Sequence, residues 1–191
     1  LADRGATVAH CPTVFVRRGI ALNTFGEYAR RGINLGIGTD TYPHNYLDEM
    51  RTALYTARAV GGSVADLTTG NVFDAATIGG AKALRRDDIG RLTVGARADM
   101  ALVDLKNPAM MPVREPLRSL IYVAQDRAVR DVFVNGEQVV RDGHVLTIDL
   151  AAESQALEEA QARSMAQVPG RDWAGRTTDE LAPMVLPVTS G

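Results

Sequence analysis

The chain has 191 residues, enough for one good-sized domain or for a domain with part of another. Apolar residues make up 46% and charged residues 23%, and the net charge of −2 excludes the strong basic field that draws a protein to nucleic acid or to an anionic membrane surface. No apolar run nears the roughly 20 residues of a membrane-spanning helix, and a single cysteine, Cys11, excludes an internal disulfide and fits a reducing, cytoplasmic location.

Leu1 to Gly5 reads as the end of a helix with a glycine stop; opening there, without Met, it leads us to expect further sequence upstream. Residues 6–10 form a short strand ending at His10, broken by Cys11-Pro12. Residues 20–31 read as a helix with Ile20, Leu22, Phe25 and Ala29 on one face and Gly32 beyond its end. Residues 33–37 are a second buried strand, running into Gly38-Thr39-Asp40. Residues 46–60 place Leu47, Met50, Ala53, Leu54 and Ala57 at helical spacing, Gly61-Gly62 stops them, and residues 73–84 are a close-packed helix. Strand and helix alternate, so this half is expected to be α/β with parallel strands. Beyond Asp87 the texture changes. A strand is expected at 99–105, then a loop punctuated by Pro108, Pro112 and Pro116. Strands at 128–134 and 138–141 flank Asn135-Gly136, a strong hairpin signal because both residues accept positive φ. After Asp142-Gly143 the chain continues through 144–148. Residues 150–167 are an Ala/Glu/Gln helix, and a polar tail follows with Trp173 as its candidate anchor.

Chemistry concentrates where the two parallel strands end, because sites in α/β sheets and barrels lie at the C-terminal ends of strands. Asp40 follows a buried strand there, and Gly36 and Gly38 leave room for a ligand. A carboxylate in such a cavity needs a cation, donors or a proton. The structural alternative is a helix N-cap or a loop anchor. His10 ends the other strand, as a metal ligand, proton shuttle or hydrogen-bonded structural residue. Tyr42, His44 and Asn45 follow Asp40 on a loop over the same cavity; His44 is a substrate contact or a cap for the next helix, with Asn45 the better cap. Dinucleotide, P-loop, His-Glu-x-x-His and Gly-x-Ser-x-Gly patterns are missing. A Cys11–His10 nucleophile pair is disfavoured because neighbouring strand residues point to opposite faces.

At these residues the sequence resembles the amidohydrolase superfamily, in its cytosine/guanine deaminase and triazine hydrolase branch. The matching blocks are Ala9-His10-Cys11-Pro12-Thr13, Gly32 through Asp40, and Asp48-Glu49-Met50-Arg51. Further blocks run from Ala75 to Leu84 and from Ile89 to Asp99, then Val134-Asn135-Gly136 and Val139 to Gly143. The resemblance implies an α/β fold: the C-terminal part of a (β/α)8 barrel in residues 1–86, the C-terminal share of a small β-sandwich in 87–148, and a terminal helix and tail in 149–191. It makes Asp40 the ligand of one divalent metal, zinc or iron, that lowers the pKa of its water from 15.7 to about 7. Asp40 also accepts the proton as the water attacks an amidine-type carbon. His10, Tyr42, His44 and Asn45 would contact the substrate, His10 at a position near the site that is not a metal ligand in this branch. The remaining ligands and a general-acid Glu are expected upstream of Leu1. The implied activity is hydrolysis of a C–N bond in a small heterocycle, with no nucleic acid or membrane partner and room for a homo-oligomer. The alternatives are a ring-opening cyclic amidohydrolase and a non-catalytic relative or fragment. Two loops depart from the pattern: Val14-Phe15 stand where many relatives have Ser-Asn, and Thr41-Tyr42-Pro43-His44 where many have Gly-Ala-Ala-Ser.

Overall fold

The structure, a computed structural model, describes every residue except 23–24, 41, 43 and 187–191. Two compact units divide the chain, Leu1–His144 and Val145–Gly191.

The first unit opens with a 3-10 turn, Ala2–Arg4, stopped by Gly5 in left-handed backbone. Then come β1 (Thr7–His10), α1 (Pro12–Val16), α2 (Phe25–Arg30), β2 (Asn34–Ile37) and α3 (Tyr46–Gly61). The strands pair in parallel, Thr7 opposite Asn34 and His10 opposite Ile37. This is the α/β arrangement that the strand–helix alternation implies. α1 was not expected: Pro12 ends the strand and, lacking a free N–H, starts a helix as readily. α2 is shorter than the periodicity suggested.

Pleating sorts the strand residues. Leu35 and Ile37, with Val8, pack into a core of Phe25, Met50, Ala53, Leu54 and Ala57 from α2 and α3. Each large side chain buried there contributes about 1.5–3 kcal/mol. The alternate positions, Ala9 and Gly36, are small. They continue past the strand ends into Cys11, Gly38 and Asp40.

A continuous helical run follows: α4 (Thr69–Asp74), a π turn over Ala75–Gly79, and α5 (Gly80–Ala83). Thr68 and Asn71 form a capping box at its start, four residues before the expected beginning. Gly79 lies so close to β2 that a Cβ would sit 1.9 Å from the Leu35 carbonyl oxygen. Asn34 Nδ2 donates to Thr7 Oγ1 at 2.8 Å and to the Gly79 carbonyl at 3.0 Å, tying β1, β2 and this helix together.

Next are β3 (Met100–Val103), α6 (Pro116–Ser119), β4 (Val129–Val134), β5 (Glu137–Arg141) and the two-residue β6 (His144–Val145), in sheet order β3-β4-β5-β6. β4 pairs antiparallel with both β3 and β5. Asn135 and Gly136 both take positive φ, as do Asp142 and Gly143. Asp99 accepts from the Asn135 amide at 2.6 Å.

The stretch read as a proline-punctuated loop is largely helical. Pro116 occupies the first turn of α6, Glu115 accepts from the Leu117 and Arg118 amides, and a π turn (Leu120–Ala124) and a 3-10 turn (Gln125–Ala128) continue it. A proline at a helix start does not break it. Ile121 from this stretch completes the first core, while Met110, Ala124 and Ala128 make a second. Arg58 of α3 ties this stretch to the first core, donating to the Leu67 carbonyl and to Tyr122 Oη, each at 2.8 Å.

In the second unit, α7 (Leu150–Arg171) is capped by Asp149 and runs through Pro169, past its expected end at 167; α8 (Thr178–Leu181) follows. Trp173 is 90% exposed and carries the Arg176 guanidinium over its ring. Among the described residues no helix is long and apolar enough to cross a membrane.

Candidate metal-facing site

Asp40 stands three residues beyond β2, exposed, in left-handed backbone (φ 55°), an uncommon setting for a residue with a side chain. Among the described residues no group donates a hydrogen bond to its carboxylate. Its surroundings are small: Gly36 and Gly38 precede it on the same face, and a Cβ on Gly38 would lie 3.4 Å from Cys11 Sγ. Cys11 therefore shares that face, and its thiol pKa is raised by burial and then by the charges of Asp40 and Glu49.

His10 lies on the opposite, helix-packed face. It is 3% exposed, with its ring 4.7 Å from Phe25 and 5.9 Å from Phe15. Burial lowers its pKa to about 4, and Nδ1 has no hydrogen-bond partner among the described residues. Phe15, from α1, stacks on one side of the His10 ring. Cys11 and His10 thus diverge, as strand alternation requires.

Beyond Asp40, His44 also has positive φ (56°), and its Nδ1 shares a 3.0 Å hydrogen bond with Thr39 Oγ1. Tyr42 is exposed. Arg17, just past α1, places its guanidinium 5.1 Å from the Tyr42 ring centroid and donates to the Tyr42 carbonyl at 3.3 Å. This contact joins the loops after the two strands. Asn45 is the N-cap of α3, its Oδ1 accepting from the Asp48 amide at 3.1 Å.

Two residues of α3 reach the strand ends without having been expected there. Tyr46 Oη donates to the Ile37 carbonyl at 2.6 Å, and Glu49, 2% exposed, accepts from the Thr13 amide at 3.0 Å. Glu49 lies in one of the blocks that carry the resemblance, yet a charge on a helix reads as solvent-facing until the packing is known.

A divalent cation fits Asp40 as a hard oxygen donor with open, small-residue surroundings. Among the described residues no group of three or more His, Cys, Asp and Glu side chains could hold one.

The sequence pattern described as the amidohydrolase family matches residues 1–139. The chain belongs to the amidohydrolase family. Particular relatives are deaminases: it is 34% identical over 174 residues to the 5-methylthioadenosine/S-adenosylhomocysteine deaminase of Natronomonas pharaonis, covering 89% of this chain and 40% of that protein. The enzyme of the same name from Halobacterium salinarum is 34% identical over 165 residues, covering 84% and 38%. A crystal structure of an adenosine deaminase from Xanthomonas campestris with bound zinc has a TM-score of 0.80 at 33% identity, covering 85% of this chain and 38% of that one. An atrazine chlorohydrolase from Arthrobacter aurescens complexed with zinc has a TM-score of 0.73 at 29% identity, covering 82% and 36%. The chain spans about two fifths of the length of these relatives.

Proposed function

We propose that this chain carries the strand-end aspartate of a metal-dependent hydrolase acting on a C–N bond of a small heterocycle, a deaminase of the amidine type. The observation that carries it is Asp40 itself: a carboxylate held in left-handed backbone at the end of a parallel strand, beyond a face of small residues, with no hydrogen-bond donor among the described residues. The deaminases and zinc-bound structures among its relatives support the same reading. In it, residues 1–86 are the last strands and helices of a (β/α)8 barrel, 87–148 the C-terminal share of a β-sandwich, and 149–191 a terminal helix and tail.

Asp40 would hold one divalent ion, zinc or iron, together with ligands outside this chain. When bound, the ion supplies a water acidic enough to ionise near neutral pH. Asp40 takes up a proton at a carboxylate oxygen. Tyr42 and His44 form the substrate-facing rim, its shape set by the Arg17–Tyr42 contact and the Thr39–His44 hydrogen bond. Asn45 serves the rim through its cap on α3, and His10 through the stack beneath Phe15.

The test is Asp40→Asn and Asp40→Ala in the intact protein, with ammonia release from adenosine and 5-methylthioadenosine and bound metal measured by mass spectrometry. Turnover should fall by about 100-fold or more, the scale of a lost proton acceptor, and Asp40→Ala should also retain less metal. Normal turnover in either variant overturns the assignment. His44→Ala should change the ratio of kcat/KM between the two substrates while metal content stays the same; equal loss of both would remove His44 from the rim.

A further inference from the structure

Buried carboxylates are costly, and Glu49 is buried on a helix whose neighbouring inward positions, Met50, Ala53 and Ala57, are apolar. Packing alone gives no reason for a charge there. A hydrogen bond does: Glu49 Oε2 accepts the Thr13 amide, across 36 residues of sequence, in the turn that follows β1. That bond makes Glu49 a side-chain anchor of the turn, and among the described residues the buried Thr13 hydroxyl has no partner of its own. One helical turn earlier, at the i, i+3 spacing that shares a helix face, Tyr46 donates to the carbonyl of Ile37, the last residue of β2. That carbonyl points away from β1, because the adjacent Gly38 amide donates across to the His10 carbonyl. The two side chains thus hold different strand ends from one rigid helix. Between them lies Cys11, whose thiol meets Gly38 and feels the charges of Glu49 and Asp40.

We propose that the first turns of α3 act as a two-point clamp, with Tyr46 and Glu49 as positioning residues that set the gap between the ends of β1 and β2 and so the place of Asp40 relative to the Cys11 wall. Neither touches the reacting atoms. The consequence for turnover rests on the function proposed above; the consequence for Cys11 and Thr13 does not.

The experiment uses the intact protein with Glu49→Gln, Glu49→Leu and Tyr46→Phe. Iodoacetamide alkylation of Cys11 is followed against pH by peptide mass spectrometry, exchange of the Thr13 amide by NMR, and kcat, KM and bound metal with adenosine. Glu49→Leu should speed Thr13 exchange and lower kcat/KM by about tenfold each, the worth of one hydrogen bond to a charged acceptor, and should raise the Cys11 alkylation rate with metal content unchanged. Glu49→Gln keeps an acceptor oxygen and should restore Thr13 protection and most turnover, while the alkylation midpoint of Cys11 moves to lower pH because a nearby negative charge is gone. Tyr46→Phe should lower kcat/KM less than Glu49→Leu, and the two together should lose less than the sum of their separate effects in free energy, since both hold one gap. An unprotected Thr13 amide in the parent protein, an unmoved Cys11 midpoint in Glu49→Gln, or metal loss in Glu49→Leu would each overturn the clamp. If Glu49→Leu does not fold, the Glu49→Gln midpoint and Thr13 protection decide alone. Should the parent show no turnover while Cys11 and Thr13 respond as described, the clamp stands and the proposed activity falls.

Discussion

At the end of β2, Asp40 stands exposed in left-handed backbone and accepts no hydrogen bond from the described residues, whereas Asp131, within β4, is 7% exposed and fully engaged. Asp131 accepts from Arg130 Nε at 2.7 Å, from Gln138 Nε2 at 3.2 Å and from the Asp142 amide at 3.2 Å. The same side chain closes a sheet in one region and, among the described residues, accepts no hydrogen bond in the other. Around Asp40 the order is supplied by its neighbours, through backbone contact and tethers from α3; in the antiparallel sheet the carboxylates are part of that order.

That contrast can be broken from either side. The largest effect is expected at Gly79→Ala, where the new Cβ would meet the Leu35 carbonyl oxygen at 1.9 Å and only backbone could move. Denaturant unfolding of the intact protein should show a loss of about 3 kcal/mol; a loss under about 1 kcal/mol would mean the π turn is not pinned to β2.

The next is pH. Burial lowers the folded pKa of His10 from 6.5 to about 4, so the unfolded chain binds the extra proton between those values. Stability from the neutral ring is fully present above pH 6.5 and is lost as pH falls towards 4, by up to about 3 kcal/mol. His10→Leu should flatten the stability profile in that window, and an unchanged slope would contradict the buried, neutral ring. Asp131, with its pKa lowered by Arg130 and then by the Asp142 amide, acts in a separate and more acidic window, its contribution present above 3.8 and lost below.

Smaller is Gly136→Ala, which forces a side chain into backbone of φ 83° and should cost about 1 kcal/mol with no change in bound metal. Smallest is Asp40→Asn, expected to leave unfolding free energy within about 0.5 kcal/mol, while Asp131→Asn lowers the unfolding midpoint measurably. If Asp40→Asn destabilised the protein as much as Asp131→Asn, the two regions would not differ in kind.

The periodicity of residues 46–60 and the alternation around Asn135-Gly136 were readable because each encodes its own local geometry. The α/β class followed from strands alternating with helices. The capping role of Asn45 was among the alternatives read from its position before an apolar-periodic run. The helical stretch over 116–128 was not legible: its prolines signal a loop unless one knows that Pro116 stands at a helix start with Glu115 as its cap. Glu49 and Tyr46 escaped for a different reason. Their roles depend on which strand ends α3 meets, and that is set by tertiary packing across as many as 36 residues. The slot around His10 likewise needs Phe15 and Phe25 brought together from separate helices.

The wide turn at Ala75–Gly79 carries a consequence of phase. A π turn holds one residue more than an α turn and so rotates everything after it by about 100° relative to an unbroken helix. With that offset one helix serves two partners: Gly79 lies against Leu35, while Thr77 and Ala81 lie against the Gly90 turn, where a Cβ would come within 2.9 Å and 3.0 Å of them. Removing a single residue from the turn would wind it back to regular pitch and swing Ala81 off the Gly90 turn. Counting residues there is therefore equivalent to aiming the helix.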